Sequence, residues 1–331
     1  MRLLDAERAR VHAAPVEDVT FGAAAREWLR YSEYENEVAF ATLRDYERVA
    51  LRLIGLLRED TTVPAISSQD IEAMKTAIKD TGVGSRTVNR YLVCVGGIFR
   101  RANAKWGTGH NPAAGNRVKR LREGYNARIQ FYTPEEVHAL VGATPDPTFE
   151  ALFMMAAFTG LRLGELRALR WRDVDLMSQF VHVERSYCNR SHLEKLPKSG
   201  KVRSVPLAPE LQRVLARLRD VTGYDGDEDL VFPSWDGTHI AYPELCVIFM
   251  RAQQAADLRQ LKFHELRHTF GKRCVAGGMD IRKVQEWMGH ANIATTEIYS
   301  HFAPAGNEAA LIGKAFAVTG RNDVAGLESA R

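Results

Sequence analysis

His264-Glu265-Leu266-Arg267-His268 is the stretch on which the reading of this chain turns, because it spells two chemistries at once. On a helix, H-E-x-x-H spacing sets two imidazoles one turn apart on one face, a zinc site in which Glu265 would act as general base. Gly271 falls where the longer form of that pattern has a glycine, and Cys274 falls where it needs a third ligand. A thiolate there, or a carboxylate from Glu286 or Glu297, would complete the set. The H-x-x-R spacing of the same residues instead aims His264 and Arg267 at an anionic phosphoryl group. Electrostatics separates the two readings. Arg267 carries a charge that no working pH removes, and the zinc reading places it beside a dication.

Working outward, Thr159-Gly160-Leu161-Arg162-Leu163-Gly164-Glu165 lies upstream, and Gly289-His290 with Tyr299 lies downstream. Two guanidiniums, Arg162 and Arg267, suit a phosphodiester under attack. Negative charge spreads over its non-bridging oxygens, and planar bidentate donors hold that charge where water would have to reorganise. A phenol, with an ordinary pKa of about 10, is a poor nucleophile until a neighbour takes its proton or cations favour the phenolate. Tyr299 stands in such cationic company. The 5′ oxygen that leaves needs a proton. Lys198, in Leu196-Pro197-Lys198-Ser199-Gly200-Lys201 at the tip of an expected hairpin, is placed to supply it, with Lys195 and Lys201 as its rivals.

Together these residues resemble the tyrosine recombinases, the phage integrase family that includes the Xer recombinases. Thr159 to Leu166 is similar to the family's first arginine box, His264 to His268 to its second, and Gly289 to Tyr299 to its last, with His290 nine residues before the tyrosine. Lys198, followed by Arg203-Ser204-Val205-Pro206-Leu207, is similar to the family's β-hairpin lysine. Met288 stands where leucine is usual before Gly-His, a volume-conserving exchange. The resemblance covers residues 130 to 305 and implies that Arg162, Lys198, His264, Arg267, His290 and Tyr299 are catalytic, with Tyr299 the nucleophile and Glu165 and His268 supporting. It implies a mainly α fold with a small β-sheet: a helical, SAM-like core-binding domain followed by an α+β catalytic domain. It also implies strand exchange without metal or other cofactor, because a phosphotyrosine link keeps the bond energy.

Composition fits a DNA enzyme. The chain has 331 residues, 45% of them hydrophobic, enough for two ordinary domains, and 45 Lys and Arg against 41 Asp and Glu give a net charge of +4. Cys94, Cys188, Cys246 and Cys274 are scattered without a C-x-x-C pair, which favours reduced thiols and a cytoplasmic setting over a disulfide framework. No secretory signal or membrane-spanning apolar run stands out.

Along the chain, Phe21 to Ser32, Thr42 to Glu59, Ser68 to Lys79 and Ser85 to Ala104 read as helices, the third opened by a capping box in Ser67-Ser68-Gln69-Asp70. Gly107, Gly109 and Asn111-Pro112 then mark a connector, and Thr133-Pro134-Glu135-Glu136 opens a new helix. The expected layout is an N-terminal extension 1–17, a core-binding domain 18–106, a basic linker 107–130, a catalytic domain 131–305 and a tail 306–331. In the catalytic part Gln179 to Arg185 and Val202 to Leu207 alternate as a hairpin, Leu230 to Pro233 reads as strand or loop, and Phe153, Leu211, Phe249, Phe270 and Trp287 are expected in the core.

In the fourth helix Val88, Tyr91, Leu92, Val95, Ile98 and Phe99 share one face while Arg86, Arg90, Arg100, Arg101 and Lys105 lie opposite. From Ser85 to Arg128 there are ten Lys or Arg and a single acid, Glu123. Such a run is the footprint of a surface that tracks a DNA backbone, or else a face that keeps the protein soluble. The expected partner is double-stranded DNA carrying a specific core site, clamped between the two domains. The resemblance further implies a tetramer on two duplexes, the tail at Asn307 to Val318 docking on a neighbouring protomer, and an excisionase or host bending factor as accessory. The expected role is integration and excision of a phage or mobile element. Xer-type chromosome dimer resolution is the alternative within this chemistry; a zinc metalloprotease and a silent DNA-binding protein are alternatives outside it.

Overall fold

The Thr20 hydroxyl accepts a hydrogen bond from the Ala23 backbone N–H and opens the first helix, α1 (Phe21–Tyr34). The computed structural model describes residues 19–115, 117–123, 130–197, 200 and 202–302, and the chain divides into two compact units, residues 1–127 and 128–331. The extension 1–17, Lys198, Lys201, Arg128 and the tail 306–331 lie outside the described residues.

The first unit continues with α2 (Phe40–Leu57), α3 (Ser68–Asp80) and α4 (Ser85–Trp106). The expected capping box is formed: Ser67 accepts from the Asp70 N–H and Asp70 accepts from the Ser67 N–H. Val88, Leu92, Val95, Ile98 and Phe99 of α4 are buried with Phe21, Ala24 and Trp28 of α1 and Val49 and Leu53 of α2. Each large side chain so buried contributes about 1.5–3 kcal/mol. Residues 107–115 and 117–123, expected as a connector, fold back on this unit instead. Val118 joins its core, and Asn89 donates to the Leu121 carbonyl at 2.9 Å while accepting the Leu121 N–H at 2.8 Å.

The opposite face of α4 is less bare than its sequence suggests. Arg101 and Lys105 reach the buried Glu27 at 2.7 and 2.5 Å, Arg101 also meets Glu35, Arg90 meets Asp45 at 2.9 Å, and Arg86 meets Glu123 at 3.3 Å. Bonds from Arg30, Lys105 and Arg101 outweigh burial and hold the Glu27 carboxyl down at about 2. Glu27 lies in α1, Glu35 caps its end and Asp45 lies in α2, all outside the basic stretch from Ser85 to Arg128, whereas Glu123 is the one acid within it. Arg100 remains exposed.

The second unit begins at α5 (Pro134–Gly142), opened at Thr133 as the sequence predicts, and Thr133 and Glu136 cap it reciprocally. Next comes α6 (Pro147–Thr159), nearly all of it buried and closed by Gly160 at φ +64°. A β-carbon at Gly160 would lie 2.4 Å from the Phe270 ring, so conformation and space both require glycine. After α7 (Leu163–Arg167) come β1 (Val174–Asp175), β2 (Phe180–Val183), β3 (Ser186–Cys188), β4 (Leu193–Lys195) and β5 (Arg203–Pro206). The expected hairpin exists as β2 against β5, antiparallel with Val181 opposite Val205, in the order β1-β2-β5. Between its strands stands a second hairpin, β3 with β4, that period-2 reasoning missed because these strands have only three residues each. Leu230 to Pro233 is loop with isolated bridges, and Pro233 brings no N–H to a ladder.

The remaining elements are α8 (Pro209–Val221), α9 (Tyr242–Ala255), α10 (Glu265–Ala276), α11 (Ile281–Met288) and two 3₁₀ turns, Ile293–Thr295 and Glu297–Phe302. The fold is mainly helical with small antiparallel sheets, as expected. Phe153, Leu211 and Phe249 lie in its main core, with Trp287 half-buried against it, whereas Phe270 belongs to a smaller cluster around Tyr299. Among the described residues no helix is long and apolar enough to cross a membrane.

Candidate active site

Gly160 ends α6 in the left-handed region and turns the chain so that Arg162 caps the short α7. Its backbone N–H donates to Glu165 Oε2 at 2.8 Å, Nη1 donates to Glu165 Oε1 at 3.1 Å, and Nη2 donates to the Gly289 carbonyl at 2.9 Å. Glu165 is itself buried and accepts two further bonds from Arg203, at 3.1 and 2.6 Å. Burial alone would raise the Glu165 carboxyl, but the bonds and charge of Arg203, then those of Arg162, hold it below the ordinary carboxylate range. Arg203 Nε donates to the Trp287 carbonyl at 2.7 Å, so one buried ion pair ties β5, α7 and the end of α11 together. Arg203 is a site residue to which the resemblance assigns no role. The available signal was its parity: Arg203 and Val205 face inward on β5 while Ser204 faces out, and an inward arginine needs a buried acid.

The pentapeptide lies where α10 begins. Arg267 is buried and donates to the carbonyls of Gly160 and, at 2.5 Å, Met288. Burial and the repulsion of Arg162 bring its guanidinium down to about 9, so it stays charged at neutral pH. His264 and His268 meet edge to face, ring centroids 5.2 Å apart at 90°. The His268 Nδ1 lies 2.6 Å from the hydroxyl of Tyr299, which is fully buried. Burial pushes the Tyr299 phenol well above its ordinary value; Arg267 opposes this and Glu265 adds to it. Gly271 makes room for the ring: a β-carbon there would be 2.5 Å from Tyr299 Cε2 and 3.0 Å from Met288 Sδ. Gly271→Ala is therefore expected to cost about 1–3 kcal/mol by overpacking. A urea melt checks it, and an unshifted midpoint would contradict the seat.

Gly289, at φ +63°, ends α11 and sets His290 beside the two arginines. His290 Nδ1 is 2.9 Å from Thr296 Oγ1. Burial, then Arg267 and Arg162, hold His290 down at about 3; burial, then His264 and Arg267, hold His268 at about 4. Desolvation and both arginines also keep His264 below its ordinary value. Stability should follow. The unfolded chain protonates histidine near pH 6.5, the folded chain resists until about 4 and 3, and so stability is full above pH 6.5 and falls as acid is added. Solvent still reaches both rings and screens part of the effect, leaving about 1–2 kcal/mol lost by pH 5. Urea midpoints at pH 7.5 and 5 measure it, and equal midpoints would refute it.

Arg162, His264, Arg267, His268, His290 and Tyr299 thus form one cluster, with Glu165 and Arg203 beneath it. Lys198 lies outside the described residues; Lys195 is exposed on β4. The zinc pattern fares differently. Tyr299 occupies the His268 Nδ1, and Cys274 sits in the apolar cluster of Phe270, Val275 and Val284, where burial pushes its thiol up to about 12. Among the described residues no three acidic, histidine or cysteine side chains are grouped to hold a metal. What the cluster can do is neutralise a phosphodiester beside a phenol.

The profile of the phage integrase family matches residues 130–305. The tyrosine recombinase XerC of Xanthomonas campestris pv. campestris is 31% identical over 297 residues, 87% of this chain and 86% of that protein. The chain belongs to the phage integrase family. It is a tyrosine-type site-specific DNA recombinase. Two solved structures share the integrase fold: the Tn1549 transposon integrase in complex with a circular intermediate DNA, and a lambda integrase tetramer bound to a Holliday junction. The first has a TM-score of 0.73 at 19% identity, covering 88% of this chain and 98% of its own. The second has 0.69 at 19%, covering 90% and 80%. At such identities the likeness is one of fold.

Proposed function

We propose that this integrase-family enzyme cuts and rejoins DNA through a 3′-phosphotyrosine on Tyr299, in the integration and excision of a phage or mobile element. The observation that carries the reading is the convergence of one phenol, two guanidiniums and three imidazoles from residues far apart in the chain. Tyr299 attacks the scissile phosphorus and the 5′ oxygen leaves. Arg162, Arg267 and His290 stabilise the charge on the non-bridging oxygens, His264 moves protons, Lys198 protonates the leaving oxygen, and Glu165 holds Arg162 in place. The expected adduct is tested by incubating the protein with a nicked suicide duplex and mapping the modified peptide by mass spectrometry. Attachment at Tyr299 supports the reading, and no covalent product on any candidate core site would sink it.

Double-stranded DNA is the partner, and the arginines of α4 are its proposed contacts in the first unit. Arg86, Arg90 and Arg100 are exposed, and Arg86, Arg90, Arg101 and Lys105 would have to share their acids with phosphate. The assembly is a tetramer on two duplexes, a reading supported by the state of the lambda integrase named above. The tail 306–331 would dock on a neighbouring subunit. An apolar groove of 440 Å³ lined by Val137, Phe158, Leu207, Phe270 and Trp287 is the seat we propose for it. The setting is the cytoplasm, and an excisionase or host bending factor would act with it. Chromosome dimer resolution, the second reading, is favoured by the XerC relative. Attachment sites flanking the gene would support the first role and a replication-terminus site the second.

A further inference from the structure

We propose that His268 is a catalytic residue in its own right, the base that takes the phenolic proton of Tyr299 during strand cleavage and returns it during rejoining. The inference rests on the reading of Tyr299 as nucleophile. It starts from one contact, the 2.6 Å between His268 Nδ1 and the Tyr299 hydroxyl. That hydroxyl belongs to a fully buried side chain, and His268 is its hydrogen-bond partner among the described residues. A neutral phenol has one proton to donate, and a buried donor must give it to an acceptor. Nδ1 is therefore the unprotonated nitrogen, with the ring proton on Nε2.

The seat of the ring fixes this geometry from the other side. Tyr299 rests on Gly271, one turn along α10 from His268 and Arg267, and Met288 closes over the same spot. Base and nucleophile are thus held by one helix face. The charged and titratable groups around His268 are His264, Glu265 and Arg267 on its own helix, and His290 and Tyr299 from the segments that follow α11. Burial first, and then His264 and the charge of Arg267, keep His268 neutral at working pH, as an acceptor must be. A bound phosphodiester brings a negative charge to the same cations, and that charge grows as the phenol attacks. Compensating Arg267 in this way raises the basicity of His268 at the moment its proton is needed.

The step balances. The O–H bond of Tyr299 breaks as its proton moves to His268 Nδ1, the phenolic oxygen forms the bond to phosphorus, and the P–O5′ bond breaks with its electron pair on the leaving oxygen. That oxygen takes its proton from the separate acid assigned to Lys198. In rejoining, the 5′ hydroxyl returns its proton to the acid assigned to Lys198 as its oxygen bonds to phosphorus, the P–O bond to Tyr299 breaks, and His268 gives the phenol its proton back.

The test is single-turnover adduct formation by the full-length protein on a nicked suicide duplex, across pH 6 to about 10, with His268→Ala and the isosteric His268→Asn. Each is expected to fall about 10³-fold at pH 7 with its affinity for the duplex unchanged, and to regain about tenfold per pH unit as the phenol ionises on its own. The loss should be equal on a 5′-bridging phosphorothiolate duplex, whose leaving group needs no proton. Placing 3,5-difluorotyrosine at position 299, a more acidic phenol, should recover most of the loss in either variant. A rate within about threefold of the parent protein overturns the proposal, as does a loss that neither pH nor the fluorinated phenol moves. If His268→Ala fails to fold, His268→Asn carries the same comparison. A parent protein that formed no adduct would instead remove the recombinase reading and this proposal with it.

Discussion

Tyr299→Phe is expected to abolish the covalent protein–DNA adduct, a loss of at least about 10⁴-fold in cleavage, while binding to the core site stays as it was. The aromatic ring supplies the packing on Gly271 and Met288, and the ring is retained. The hydroxyl contributes one hydrogen bond, to His268, worth about 1 kcal/mol. The variant should therefore fold, melt close to the parent and compete for DNA equally well. In the proposed reaction the lost oxygen is the atom that bonds to phosphorus, and the neighbouring Thr296 hydroxyl does not replace it, being fully buried and bonded to His290. A gel-shift titration and a denaturing gel of the suicide reaction read the two halves separately. A persistent adduct in the variant would assign the nucleophile elsewhere, and lost DNA binding would show that the ring and not the oxygen had failed.

The second large effect is on stability. Glu165→Ala removes the acceptor of four hydrogen bonds and leaves Arg203, with 6% of its side chain exposed, as a buried cation without a counter-charge. Breaking a buried pair from one side costs about 3–5 kcal/mol, far more than the pair contributes against an apolar replacement. For a unit of this size the melting temperature should drop by about 10 °C. Activity should fall further than folding explains, because Arg162 loses the partner that fixes both its backbone turn and its guanidinium. Glu165→Gln, which keeps the shape and half of the bonds, should lie between. A melting temperature within about 2 °C of the parent would contradict the buried-pair account.

Much of this was legible in the chain. The T-G-x-R, H-x-x-R and G-H to Tyr spacings pick out the clustered groups because local turn chemistry sits inside them: Gly160 and Gly289 adopt positive φ as they end their helices, Gly160 two residues before Arg162 and Gly289 directly before His290. The capping box at Ser67 and the capping Thr133 were likewise readable, since a cap and the helix it opens are neighbours in sequence. The β3 with β4 hairpin was not, as three-residue strands carry too little alternation, and the fold-back of residues 107–115 and 117–123 depends on Val118 finding a core it does not adjoin in sequence.

What the sequence by itself determined was the inventory: which side chains carry charge, which turn and which can attack. Only the tertiary structure decided their partners. Glu27, Glu35 and Asp45 temper a helix that reads as uniformly basic, Arg203 finds Glu165 across 38 positions, and the Tyr299 hydroxyl meets His268 rather than water. The physical reason is range. Spacing along a helix or turn is set by local dihedral angles, whereas desolvation and Coulomb energy depend on what the whole fold brings within a few ångströms.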